Sequence, residues 1–277
     1  MQYLEAMGID VWVPRHPAVV DAAENLIASD MDAEHAVLAR DAQGPSDPVY
    51  PIGTRQAEAP SAYRADPVTV TFEKAAQPAS TLSEPKFRIG DTVEQTWMAL
   101  QHEVSVCRQC KLCETRTQTV FGVGNPHASW MLIGEAPGQD EDLQGEPFVG
   151  RAGQLLNEML RAIGLKRDQV YIANILKCRP PKNRDPEAEE VGACLPYLQQ
   201  QIALLKPKLI LAVGRIAAQN LLNTTSSLTS LRGRSHRFGD TPLVVVHHPA
   251  YLLRSPLEKA KAWEDLRFAL SVHQKLE

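Results

Sequence analysis

Five cysteines carry the first chemical signal. Cys107, Cys110 and Cys113 form C-x2-C-x2-C, and Cys178 and Cys194 follow, separated by 15 residues. Brought together across a fold, such thiols suit a four-thiolate site of zinc or [4Fe–4S] type. The spacing separates neither the two metals nor the surplus cysteine, and buried unliganded thiols are the plain alternative. An odd, uneven set of cysteines is a poor disulfide framework, so a reducing compartment, the cytoplasm, is expected.

A second group of residues follows short apolar runs. Gly134-Glu135-Ala136-Pro137-Gly138 leads into Asp140, Glu141 and Asp142, which places four carboxylates within eight residues. They suit acid–base work or form a solvated acidic loop. Asn174 precedes Cys178-Arg179-Pro180-Pro181-Lys182-Asn183-Arg184, a proline-stiffened loop with three cations. An amide both donates and accepts, which suits reading the edge of a base, and the cations suit a phosphate backbone. Gly214-Arg215 opens a helix, where amides can hold a phosphate or simply make a turn. His247-His248-Pro249-Ala250-Tyr251-Leu252-Leu253-Arg254 ends the last run. There an imidazole can stabilise a developing anion, and the Leu-Leu-Arg tip has the form of a wedge for a base stack.

The elements that must position these residues alternate. Strands are expected over 129–136, 170–176, 208–214 and 243–248, and helices over 92–106, 153–163, 186–205, 215–222 and 257–270. Short, nearly continuous apolar strands between amphipathic helices predict an α/β protein, a three-layer α/β/α sandwich with a four-stranded parallel sheet. Ligands of such sheets bind beyond the carboxyl ends of the strands, where the residues above fall.

The chain of 277 residues is 44% apolar and 22% charged, as in soluble globular proteins. No run of 18 apolar residues occurs, and the N-terminus lacks the uninterrupted apolar core of a secretory signal. The net charge of −4 hides a division: residues 1–90 carry 13 acids and 7 bases, residues 91–277 carry 20 and 22. Between Val191 and Gly239 there are six Lys or Arg and no acid, a balance that favours phosphate-rich partners. Three regions are expected: an apolar interaction peptide over 1–18, an acidic, Pro/Ala-rich and mostly disordered linker over 19–90, and a folded domain over 91–277.

GEAPG, PFVG-x-AG-x-LL, N-x-x-KCRPP-x-NR-x-P and HPAYLLR, with C-x2-C upstream and a cysteine 15 residues after KC, resemble the family-4 uracil-DNA glycosylases, iron–sulfur DNA-repair enzymes. The resemblance runs from about Val106 to Leu270. It implies that uracil is flipped out of DNA and its N-glycosidic bond hydrolysed, leaving an abasic site. It implies a structural [4Fe–4S] cluster on Cys107, Cys110, Cys178 and Cys194, with Cys113 left over. It assigns Phe148 to stacking on uracil and Asn174 to its polar edge, with Gly134 and Ala136 alongside. His248 is to stabilise the uracil oxygen, Glu135 is to face the sugar or orient water, and Glu141 is to obstruct a methyl at C5. Lys182, Arg184, Leu253 and Arg254 are to contact DNA. Ala136 stands where a related family carries a water-positioning Asp, and no lysine is placed as a Schiff-base nucleophile.

Two rivals share these motifs: a related protein that crosslinks to uracil-DNA, which carries Gln where Ala136 stands, and a non-catalytic DNA-binding metalloprotein. The protein is expected to act as a monomer, without a membrane, near the bacterial nucleoid. Leu4, Met7, Gly8, Ile9, Trp12 and Arg15 resemble the tail of the clamp-loader ψ subunit, which implies that residues 1–18 dock on the replication clamp loader.

Overall fold

The apolar runs become strands because both of their faces are covered. The computed structural model describes residues 92–276. In chain order its strands are β1 (Val123–Gly124), β2 (Trp130–Gly134), β3 (Tyr171–Asn174), β4 (Leu209–Val213), β5 (Ser235–Phe238) and β6 (Thr241–Val246). They form one sheet in the order β1-β3-β2-β4-β6-β5. The four central strands are parallel, as expected. The outer two, β1 and β5, pair antiparallel, so the sheet is six-stranded and mixed rather than four-stranded. These edges escaped the sequence for a physical reason. β1 is two residues long, and β5 buries only Ser235 and Phe238, with a half-buried His236 and an exposed Arg237 between them.

The main helices are α1 (Val93–Ser105), α2 (Gln139–Gln144), α3 (Arg151–Ala162), α4 (Ala188–Leu205), α5 (Arg215–Leu222), α6 (Leu228–Leu231), α7 (Pro249–Arg254) and α8 (Lys259–Gln274). A capping box between Thr92 and Gln95 starts α1. Strand side chains alternate between two cores. On one face Leu132, Ile172, Leu211 and Val244 pack with Leu156 and Met159 of α3 and Leu266 of α8. On the other, Ile133, Ala173, Ile210 and Val245 pack with Leu198 and Ile202 of α4 and Leu221 of α5. This is the α/β/α layering.

The HPAYLLR segment forms α7. Pro249 occupies the first turn, and the His248 side chain caps it. The apolar peptide over 1–18 and the acidic stretch over 19–90 lie outside the described residues. Among the described residues no helix is long and apolar enough to cross a membrane.

Candidate functional site

The carboxyl ends of β2, β3, β4 and β6 open into one crevice. Its lining includes Glu135, Ala136, Glu141, Phe148, Asn174, Arg184, Arg215, His248 and Arg254. Register brings the strand ends level, with Gly134 opposite Asn174 and Val213 opposite Val246.

Gly134 lies under Asn174 and Phe148 of the crevice lining. A Cβ there would lie 2.4 Å from Asn174 Oδ1 and 2.7 Å from Phe148 Cζ, so only glycine admits both side chains over the strand end. The Phe148 and His248 rings stand 5.6 Å apart at 31°. Asn174 is 2% exposed, and its Oδ1 has no hydrogen-bond partner in the structure. A buried amide oxygen left bare is costly, and one that faces a crevice is placed to accept from a ligand N–H.

The Ala250 backbone N–H donates to His248 Nδ1 at 3.1 Å. Burial, then Arg254, lowers the His248 pKa to about 4, against the opposing pull of Glu141. The ring is therefore neutral at pH 7. With Nδ1 accepting, its proton sits on Nε2. Glu135 is half-buried, and burial, then Asp185, raises it to about 7, opposed by Arg215.

Glu141 lines the crevice and also holds its backbone. Its carboxylate accepts from the backbone N–H groups of Gly138 at 3.0 Å, Val149 at 2.9 Å and Gly150 at 3.2 Å. It latches the loop that carries Phe148. Arg184 is tied to a carboxylate of α4. Its guanidinium makes two hydrogen bonds to Glu190, at 2.9 and 2.6 Å, and Glu190 is buried. Lys182 is exposed and outside the crevice lining, whereas Leu253 and Arg254 are exposed on α7, with Arg254 at the crevice.

Several residues were not anticipated from sequence. Lys177 is fully buried, and burial lowers its pKa to about 7. Its Nζ donates to the backbone oxygens of Asn174 at 2.8 Å and Phe121 at 3.3 Å, and to Gln201 Oε1 at 2.6 Å. Behind α7, His247 Nδ1 lies 3.3 Å from Asp265, which accepts from Arg232 at 2.6 Å. His247 also stacks on Tyr251. A lysine beside a cysteine and an aspartate inside a helix carry no signal of these contacts, because their partners, the Asn174 carbonyl apart, are distant in the chain.

All five cysteines line a second, small cavity with Arg116, Lys177 and Tyr197. Arg116 donates to Cys178 Sγ at 3.1 Å and to the Cys107 carbonyl oxygen at 2.8 Å. Burial pushes the Cys178 thiol up, and the Cys194 thiol up to about 12. Such thiols ionise on taking a cation. No three of the described His, Cys, Asp or Glu side chains are already drawn into metal-binding geometry. The donor set itself, soft sulfur with two flanking cations, fits a thiolate-bound iron–sulfur group.

Residues 121–267 match the uracil DNA glycosylase superfamily. The chain is 47% identical over 162 residues to a type-4 uracil-DNA glycosylase of Archaeoglobus fulgidus, covering 56% of this chain and 81% of that protein. It is 41% identical over 166 residues to the type-4 uracil-DNA glycosylase of Thermotoga maritima, covering 59% and 86%. A type-5 uracil-DNA glycosylase of Thermus thermophilus is 35% identical over 118 residues, covering 37% and 53%.

Proposed function

The chain belongs to the uracil-DNA glycosylase superfamily, among its type-4 members, and excises uracil from DNA; we propose that Phe148, Asn174, His248 and Glu135 carry that reaction. The observation behind this assignment is the bare Asn174 Oδ1 beside Phe148 and a neutral His248 at one strand end.

A base inside a duplex is out of reach, so the nucleotide is flipped into the crevice. Phe148 stacks on the uracil face, and Asn174 Oδ1 accepts from the uracil N3–H. As the bond between N1 and C1′ breaks, its electron pair moves into the ring and charge grows on O2. The His248 Nε2–H donates to that oxygen; the neutral imidazole is a donor whose strength rises with the developing charge. Water adds to C1′ of the cationic sugar, and the Glu135 carboxylate orients it and takes its proton. Glu141, latched to the loop amides, is the wall facing C5, and Gly134 and Ala136 complete the slot. Lys182, Leu253 and Arg254 meet the DNA, Leu253 filling the gap left by the flipped nucleotide.

A [4Fe–4S] cluster on Cys107, Cys110, Cys178 and Cys194 would serve as a structural tie and supply no electrons to the reaction. The protein acts as a monomer in the cytoplasm. Residues 1–18 bring it to the replication clamp loader through the Leu4…Trp12…Arg15 pattern, and Trp12→Ala should lose the loader in a pull-down. The test of function is incubation with a uracil-containing oligonucleotide. Free uracil and an abasic site are expected. A covalent adduct, or a gel shift alone, would overturn the reading in favour of a crosslinking or a non-catalytic protein.

A further inference from the structure

Phe148 is buried and holds φ at 54°, in the left-handed region that a bulky side chain rarely adopts. Such a backbone persists only where its surroundings over-determine it. Three contacts do so. The Glu141 latch holds the amides that follow Phe148, those of Val149 and Gly150. Gly153 lies so close that a Cβ there would stand 1.8 Å from the Phe148 carbonyl oxygen. The third contact is Arg167, which belongs to no part of the site described above.

Arg167 sits half-buried in a one-turn 3-10 helix, Arg167–Gln169, immediately before β3. Its Nη2 donates to the Pro147 carbonyl oxygen at 2.6 Å, and its Nη1 to the Phe148 carbonyl oxygen at 3.3 Å. Asn157 Oδ1 on α3 accepts from the same Nη1 at 3.3 Å, which orients the fork. A left-handed residue turns its flanking carbonyls out of the helix that follows, so they need donors from elsewhere. The planar guanidinium supplies both donors from one rigid group, where an ammonium is a point donor. The geometry also joins two halves of the base slot. The turn that holds Arg167 leads into β3, which ends at Asn174, while the carbonyls that Arg167 holds belong to Pro147 and Phe148.

We infer that Arg167 is a positioning residue for the excision reaction: it fixes the strained Phe148 backbone so that the ring lies across the slot from Asn174. The inference rests on Phe148 and Asn174 being the uracil-binding pair. Without Arg167 the loop relaxes toward an ordinary backbone and the ring swings away. Arg167 touches neither uracil nor sugar, so its whole effect passes through Phe148.

The experiment is a double-mutant cycle on the full chain with its cysteine site loaded. Single-turnover uracil release is measured for the wild type, Arg167→Met, Phe148→Ala and the pair, together with inhibition by free uracil. Arg167→Met should slow release about tenfold or more and weaken inhibition by uracil. In the Phe148→Ala background the same change should cost less than about twofold, because the ring that it positions is gone. Asn157→Leu, a milder change that only frees the fork, should give a smaller loss with the same non-additivity, and Arg167→Lys should recover part of the activity. These two variants carry the test if Arg167→Met fails to fold. An equal loss in both backgrounds, or wild-type release by Arg167→Met, overturns the inference. A wild type that releases no uracil overturns the function itself and this inference with it.

Discussion

At the end of β3, Asn174 faces the crevice with a bare amide oxygen; four residues on, Cys178 lines a cavity with four other thiols. Lys177 lies between the two and holds the Asn174 carbonyl from behind. The base slot is finished by the protein alone: latches from Glu141 and Arg167 and packing against Gly134 and Gly153 set its shape. In the cysteine cavity burial, ahead of any charge on the neighbouring cysteines, keeps Cys178 and Cys194 protonated, so the proposed metal group would have to complete it. A change in the slot should therefore cost chemistry and spare the fold. A change in the cavity should cost both.

The largest expected effect falls on the cavity. Cys178→Ala should lose absorbance near ~400 nm, soluble yield and activity together, because metal binding and folding are coupled there. Full absorbance in this variant would mean that Cys113, which lines the same cavity, takes over as ligand. Next come the slot variants. His248→Ala and Asn174→Ala should each lower uracil release by ~10²–10³ while the absorbance and the thermal midpoint stay near those of the wild type. Loss of absorbance in either variant would break the distinction between the two regions.

The pH profile refines the slot further. His248, lowered to about 4, keeps its neutral ring across the working range. Glu135, raised to about 7, does not keep one charge state there. Below that pH its carboxyl holds a proton and cannot take one from water, so kcat/KM should rise with pH through an acid limb near 7. Asp185→Asn removes a nearby negative charge and should move the limb to lower pH. Arg215→Leu removes the opposing positive charge and should move it higher. A limb that ignores both changes would belong to another group.

The sequence carried the positions of the crevice residues better than the reasons for their geometry. Parallel strands buried on both faces write continuous apolar runs, so β2, β3, β4 and β6 were legible, and with them Glu135, Asn174 and His248 just beyond or at their ends. β5 was not, because an edge strand with Arg237 turned to solvent has no such run. α7 was legible in part: Pro249 in a first turn after a capping His248 is a helix start, but its 6 residues are too few to show a helical period. Glu141 stood out as an acid and proved to be a backbone latch. Arg167, Lys177 and Asp265 were invisible, since each meets a carbonyl or side chain, Gln201 in the case of Lys177, that the tertiary fold brings near.

The smallest expected effect separates two cations that look alike in sequence. Arg254 is exposed at the rim of the crevice, whereas Arg184 is committed to a buried Glu190. A phosphate contact releases counterions, and each one contributes about one unit to the slope of log K against log salt. Arg254→Ala should flatten that slope by about one unit, with the thermal midpoint unchanged. Arg184→Ala should leave the slope alone. It leaves the buried Glu190 carboxylate with the Glu187 backbone N–H alone, so the protein should melt at a lower temperature. The drop should be modest, because the Arg184 side chain is 36% exposed and its attraction to Glu190 is partly screened. Arg184→Lys should restore little of the loss, because an ammonium cannot reproduce the paired hydrogen bonds to both Glu190 oxygens. Salt titrations of oligonucleotide binding and thermal melts of the two alanine variants decide the matter. A flattened slope for Arg184→Ala, with no change in melting, would return that residue to the DNA backbone and leave Glu190 without its assigned partner.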